Sequence, residues 1–125
     1  MASLILAYPP SGNRYWRVNR QTGRPYKSDE ARAYIEDTGW RCIEHGLTEP
    51  LAGTVAVRLE FHTLPGRRID LDNGVKVLLD ALQGYAYADD KQVVKLEAEL
   101  VIMPRNSTPC VFVTVEPCTA RERTA

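Results

Sequence analysis

Residues 67–82 read Arg-Arg-Ile-Asp-Leu-Asp-Asn-Gly-Val-Lys-Val-Leu-Leu-Asp-Ala-Leu, and Asp89-Asp90 follow closely. From Asp72 onward, at 100° per residue, Val75, Leu78, Leu79 and Leu82 form one apolar stripe of a helix. Asp72, Lys76, Asp80 and Gln83 fall on the opposite side. If the chain enters this helix extended, Asp70 and Asp72 share one face while Ile69 and Leu71 share the other. Two carboxylates then point the same way, and Lys76 sits one turn above the second. Asp89-Asp90 adds a third acidic group at the same helix start. Such a set suits a hard divalent cation, and phosphate is the usual substrate of such a centre.

An apolar stripe needs a layer to cover, and the flanking segments supply it. Thr54 to His62 alternates, with Val55, Val57, Leu59 and Phe61 on one side. Val93 to Met103 alternates as well, through Val94, Leu96, Ala98, Leu100 and Ile102, and Val111, Val113 and Val115 mark a last strand. Ser3 to Tyr8 reads as a first strand, closed by the turn residues Pro9-Pro10-Ser11-Gly12-Asn13. Ser28, followed by Asp29 and Glu30, predicts a helix N-terminus; Gly46 predicts its left-handed stop. Ala31, Tyr34, Ile35, Thr38 and Cys42 mark that helix's inner face, and His45 suits its C-terminal dipole.

The order β-α-β-α-β-β defines an α/β (α+β) class, with two helices on a small mixed sheet. The last two strands are expected to form an antiparallel hairpin. Residues 1–125 make one domain, with a polar tail over 119–125 and no repeat or linker to divide it.

Charge narrows the partners. The chain has 16 basic and 16 acidic residues and no net charge, which argues against an obvious polyanion binder. The distribution is uneven: residues 1–28 hold Arg14, Arg17, Arg20, Arg24 and Lys27 and no acid. Between residues 14 and 27 these bases interleave with Tyr15, Trp16 and Tyr26, without clear periodicity. Such an arm can grip phosphates and stack on splayed bases; equally, Tyr15 and Trp16 can fold back as a hydrophobic lid.

Cys42, Cys110 and Cys118 match neither a disulfide framework nor a metal motif, and read as idle thiols in a reducing cytoplasm. No apolar run is long enough to span a membrane and no signal peptide is expected. An organic cofactor is not implied.

Each acid alone has an ordinary explanation. Asp70 or Asp72 is a good helix cap, Asp89-Asp90 is common turn chemistry, and Lys76 can pair with Asp72 or Asp80 on the surface. Together, three close carboxylates repel one another unless a cation sits among them.

Four pieces of the chain also resemble a known family. Tyr8-Pro9-Pro10-Ser11-x-Asn13-Arg14-Tyr15, Asp70-Leu71-Asp72-Asn73-x-x-Lys76, Leu79-Asp80-Ala81-Leu82 and Asp89-Asp90-x-Gln92-Val93 are similar, in that order, to the signature of RusA-type Holliday junction resolvases. The likeness spans roughly residues 4 to 116. It implies a homodimeric endonuclease of bacterial or phage-infected cytoplasm, often prophage-encoded, that cuts four-way DNA junctions by paired symmetric nicks.

The resemblance implies Mg²⁺, with Mn²⁺ as a substitute, held by Asp70, Asp72 and Asp90. Lys76 becomes the essential lysine, and Asp90 rather than Asp89 matches because it lies two before Gln92. Asn13, Arg14, Tyr15, Trp16, Arg17, Arg20, Arg67, Arg68 and Lys76 become DNA contacts. A nuclease for flaps or other branched DNA would use the same residues. A non-catalytic junction-binding protein would keep the arm and leave the acids as caps.

Overall fold

A computed structural model describes residues 2–67 and 70–124. The expected Arg68 contact lies outside the described residues, as does Ile69. The elements are β1 (Ala2–Ala7), α1 (Gly12–Tyr15), β2 (Trp16–Val18), β3 (Pro25–Lys27), α2 (Asp29–Glu44), β4 (Val55–Thr63), α3 (Leu71–Leu82), a 3₁₀ turn (Asp90–Gln92), β5 (Val93–Ile102) and β6 (Cys110–Pro117).

One four-stranded sheet runs in the order β1-β6-β4-β5. Strands β1 and β4 are both antiparallel to β6, whereas β4 and β5 are parallel. Alternation puts Val55, Val57, Leu59 and Phe61 of β4 on one face with Leu4, Leu6, Val111, Val113 and Val115, all buried. This face forms one core with Tyr34 and Cys42 of α2 and with Val77, Leu78 and Leu82 of α3. The opposite face is open to solvent and mostly polar, with Ile5 and Phe112 as exposed apolar residues. There Arg58 pairs with Glu60, Glu97 at 2.8 Å and Glu99 at 2.7 Å, pairs that each contribute little at such exposure.

The predicted helix boundaries have visible causes. Ser28 caps α2 by accepting from the Ala31 N–H at 3.1 Å, and Asp29 and Glu30 occupy its first turn. Gly46 takes a φ of 81° just beyond His45, a conformation that costs glycine nothing. Asp70 caps α3, accepting from the Asn73 N–H. The buried stripe of α3 is displaced from the expected one: Val77, Leu78, Ala81 and Leu82 are fully covered, whereas Val75 and Leu79 are only partly buried against the same core. The helix packs against α2 as well as the sheet, so two flanks need apolar residues.

Two helix glycines answer to packing. A Cβ on Gly74 would lie 3.0 Å from Phe61 Cε1, and one on Gly39 would lie 2.6 Å from the Tyr85 ring.

Two expectations are corrected. The last two strands do not form a hairpin, since β4 lies between β5 and β6. After α3 the chain returns to the beginning of β4 and pairs there in parallel, as a crossover connection dictates. Alternation fixes which residues share a face and leaves the neighbouring strand open. The arm, read as irregular, contains the helical turn α1 and the antiparallel hairpin β2–β3. Asn19 closes the hairpin: its backbone N–H donates to the Arg24 carbonyl at 2.9 Å and its side chain accepts from the Gln21 N–H.

Candidate functional site

The N-terminal turn of α3 carries the first two acids. Capping directs the Asp70 carboxylate toward Asn73, whose Nδ2 donates to Asp70 Oδ2 at 2.9 Å. Asp72, in the same turn, is exposed, with Lys76 Nζ 3.8 Å from its Oδ2 one turn further on. The i to i+4 spacing of Asp72 and Lys76 produces that approach.

Beside Asp70 opens a cleft of about 640 Å³, lined by Tyr8, Asn13, Arg14, Arg67, Asp70 and Asn73 among others. The Pro9-Pro10-Ser11 turn ends β1 and swings Asn13 and Arg14 over the start of α3. Close approach is permitted by Gly12, where a Cβ would lie 3.3 Å from Asn73. Two guanidinium groups and two amides beside a carboxylate make a polar, phosphate-compatible cleft.

Asp90 lies elsewhere. It opens the 3₁₀ turn, and its backbone N–H donates to Gln83 Oε1 at 3.1 Å. Gln83 is the C-cap of α3, so about 16 Å of helix rise separates it from Asp72. The topology requires this. Asp70 follows the end of β4, α3 runs back along the sheet, and Asp90 precedes β5, which begins beside Val55 at the start of β4. Three acids converging on one helix start are therefore not found within a single chain. Among the described residues no three His, Cys, Asp or Glu side chains gather closely enough to hold a metal.

Gln92, absent from the predicted set, fixes the acidic loop. Its Oε1 accepts from the Ala88 and Asp89 N–H groups, and its Nε2 donates to the Leu51 and Gly53 carbonyls. Asp89 caps the turn, its side chain accepting from the Lys91 N–H. The spacing Asp-Asp-x-Gln is a capping box, which sequence alone can signal.

The arm divides. Trp16, Arg17 and Arg20 are exposed on the hairpin. Tyr15 is not: it is fully buried, and its hydroxyl donates to Asp80 Oδ2. Burial, and next the Asp80 carboxylate, hold that phenol well above its usual range. The expected DNA contact by Tyr15 is thereby corrected, because a ring sealed in the core presents no face to a base. Of the two readings of the aromatics, the inward one describes Tyr15 and the outward one describes Trp16.

The fold and site define a single-domain mixed α/β protein in which Asp70 lines a cleft with Arg14 and Arg67, and the exposed Asp72 and Lys76 follow on the same helix. The comparisons narrow that class. The family model described as endodeoxyribonuclease RusA matches residues 7–116. The crossover junction endodeoxyribonuclease RusA of Escherichia coli strain K12 is 41% identical over 104 residues, covering 82% of each chain. Its namesakes from Shigella sonnei and Enterobacteria phage 82 are 42% and 41% identical, each with 82% of its length covered. The chain belongs to the RusA endodeoxyribonuclease family. Among the described residues no helix is long and apolar enough to cross a membrane.

Proposed function

We propose that this protein is a divalent-cation-dependent endonuclease that resolves four-way DNA junctions by paired nicks, acting as a homodimer. The observation that carries the reading is the Asp70–Asp72 pair in the first turn of α3, with Lys76 one turn on and the Arg14–Arg67 cleft alongside. It occurs in a chain whose relatives are named crossover junction endodeoxyribonucleases.

The donor set fits a hard cation. Mg²⁺ accepts one or two carboxylates and completes its shell with water and phosphate oxygens, and Asp70 and Asp72 offer only carboxylate oxygen. When bound, the cation supplies Lewis acidity at the phosphate and acidifies the attacking water. The chain's own groups do the rest. Asn73 orients the Asp70 carboxylate, while Arg14 and Arg67 seat flanking phosphates. Lys76 Nζ, exposed and only loosely paired with Asp72 at 3.8 Å, neutralises charge growing on the leaving 3′ oxygen. Junction choice then rests on shape and backbone contacts.

The separation of Asp90 favours a dimer. Strand β5 lies at the sheet edge, and its helix-side residues Leu96, Leu100 and Ile102 remain 42%, 38% and 56% exposed, an apolar row that solvent does not favour. Two β5 edges meeting across a two-fold axis run antiparallel, so the start of one lies beside the end of the other. That apposition carries Asp90 of a second copy toward the end of the sheet from which Asp70 follows. It completes the acid triad and creates two symmetric sites.

The test is cleavage of a synthetic four-way junction with Mg²⁺, against flap and duplex controls, by wild type and Asp72→Asn. Asp72 is exposed and the cap of α3 is Asp70, so folding is spared. Paired junction nicks by wild type alone support the reading. Equal cleavage by both variants removes Asp72 from the site, and preferred cleavage of flaps moves the substrate.

A further inference from the structure

Asp80 occupies the polar face of α3 one turn beyond Lys76, yet its side chain is partly buried, 24% exposed. Tyr15 donates its hydroxyl to Oδ2, and Lys27 Nζ lies 3.2 Å from the same oxygen. These two donors stand at the two feet of the basic hairpin. Tyr15 immediately precedes β2, and Lys27 ends β3, paired in register with Trp16. Ser28 adds a tie, its N–H donating to the Tyr15 carbonyl at 3.0 Å and its hydroxyl to the Arg14 carbonyl. The Tyr15 ring meets Trp16 edge-on at 5.1 Å, and Lys27 Nζ lies 5.9 Å from the centre of the Trp16 ring.

We infer that Asp80 is a positioning residue that clamps both feet of the β2–β3 hairpin to α3, fixing Trp16, Arg17 and Arg20 relative to the Asp72–Lys76 pair. This rests on the reading of that hairpin as a DNA-contact arm. A two-stranded hairpin this short is not stable alone. Beyond the clamp it has exposed residues and no core of its own. A charge-assisted hydrogen bond from a buried phenol is strong and directional, and the ammonium adds a second donor whose loss leaves the hairpin held by one foot. Because two protein donors engage one Asp80 oxygen, its part is to hold the arm in place. A clamped arm enters the DNA complex already ordered, which spares binding the entropy of fixing it.

The experiment compares wild type, Asp80→Asn and Lys27→Met for junction affinity, for kcat at saturating junction, and for the mobility of Trp16. Mobility is read by fluorescence anisotropy in a Trp40→Phe background, which leaves Trp16 as the sole tryptophan. The expected result is an affinity loss of about tenfold with kcat nearly unchanged, faster local motion of Trp16, and no further loss in the double variant. A fall in kcat at unchanged affinity overturns the proposal and makes Asp80 part of the chemistry. Unchanged affinity and unchanged Trp16 motion overturn it as well. If Asp80→Asn fails to fold, Lys27→Met decides by the same readouts, since Lys27 is partly exposed. Loosened Trp16 in a protein that neither binds nor cuts junctions upholds the clamp and removes the DNA reading.

Discussion

The Asp90 N–H donates to Gln83 Oε1 at 3.1 Å, which fastens the third proposed acid to the opposite end of α3 from Asp72. In the proposed dimer each triad draws Asp90 from the other copy. Mixing Asp72→Asn with Asp90→Asn protein should therefore restore nicking, since one site of each heterodimer keeps all three acids. A triad built within one chain would leave both sites of that heterodimer dead, so nicking measured after subunit exchange distinguishes the two.

The exposed apolar row on β5 predicts the interface. Leu100→Glu or Ile102→Lys should give a folded monomer, because neither side chain belongs to the buried core. Sedimentation velocity reads the mass, and circular dichroism checks the fold. A dimer that persists in both variants would move the interface elsewhere.

Gln92 holds the acidic loop by four hydrogen bonds. Gln92→Ala removes them all and leaves the Leu51 and Gly53 carbonyls seeking water. A loss of about 1–3 kcal/mol is expected, together with reduced cleavage as Asp90 shifts. Denaturant unfolding and junction cleavage measure the two effects separately.

Helix propensity alone says that Gly74→Ala should stabilise α3 by about 1 kcal/mol. The Phe61 ring, 3.0 Å from the new Cβ, opposes this at about 1–3 kcal/mol for an overpacked core. The expected outcome is a lower Tm. Gly39→Ala should cost more, because the Tyr85 ring stands at 2.6 Å.

Burial pushes the Cys42 thiol up to about 11 from its ordinary 9.0. A group whose folded value is raised contributes stability that is whole below the unfolded value and lost as pH rises through the folded one. Burial also raises the phenols of Tyr34 and Tyr87, so they act in the same direction at higher pH. Stability should therefore decline from about pH 9 upward, and Cys42→Ala should flatten the first part of that decline. Unfolding in denaturant at pH 7 to 11 measures it.

Local pattern determined much of this protein. The stretch from Asp70 to Leu82 specified an amphipathic helix with its own cap, and the alternation in 55–61 specified a strand with one buried face. The motif residues, taken in order, specified the family. Each depends on neighbours a few residues apart, whose geometry is fixed by helical or strand period.

Only the tertiary structure decided the rest. That β5 pairs with β4 rather than β6 follows from the path of the crossover, and periodicity is blind to it. Burial of Tyr15 and its bond to Asp80 join residues 65 positions apart, and no local spacing foretells that contact. The distance between Asp72 and Asp90 has the same origin. A helix joining two parallel strands must traverse the sheet, so the acids at its two ends, close in sequence, lie at opposite ends of the sheet.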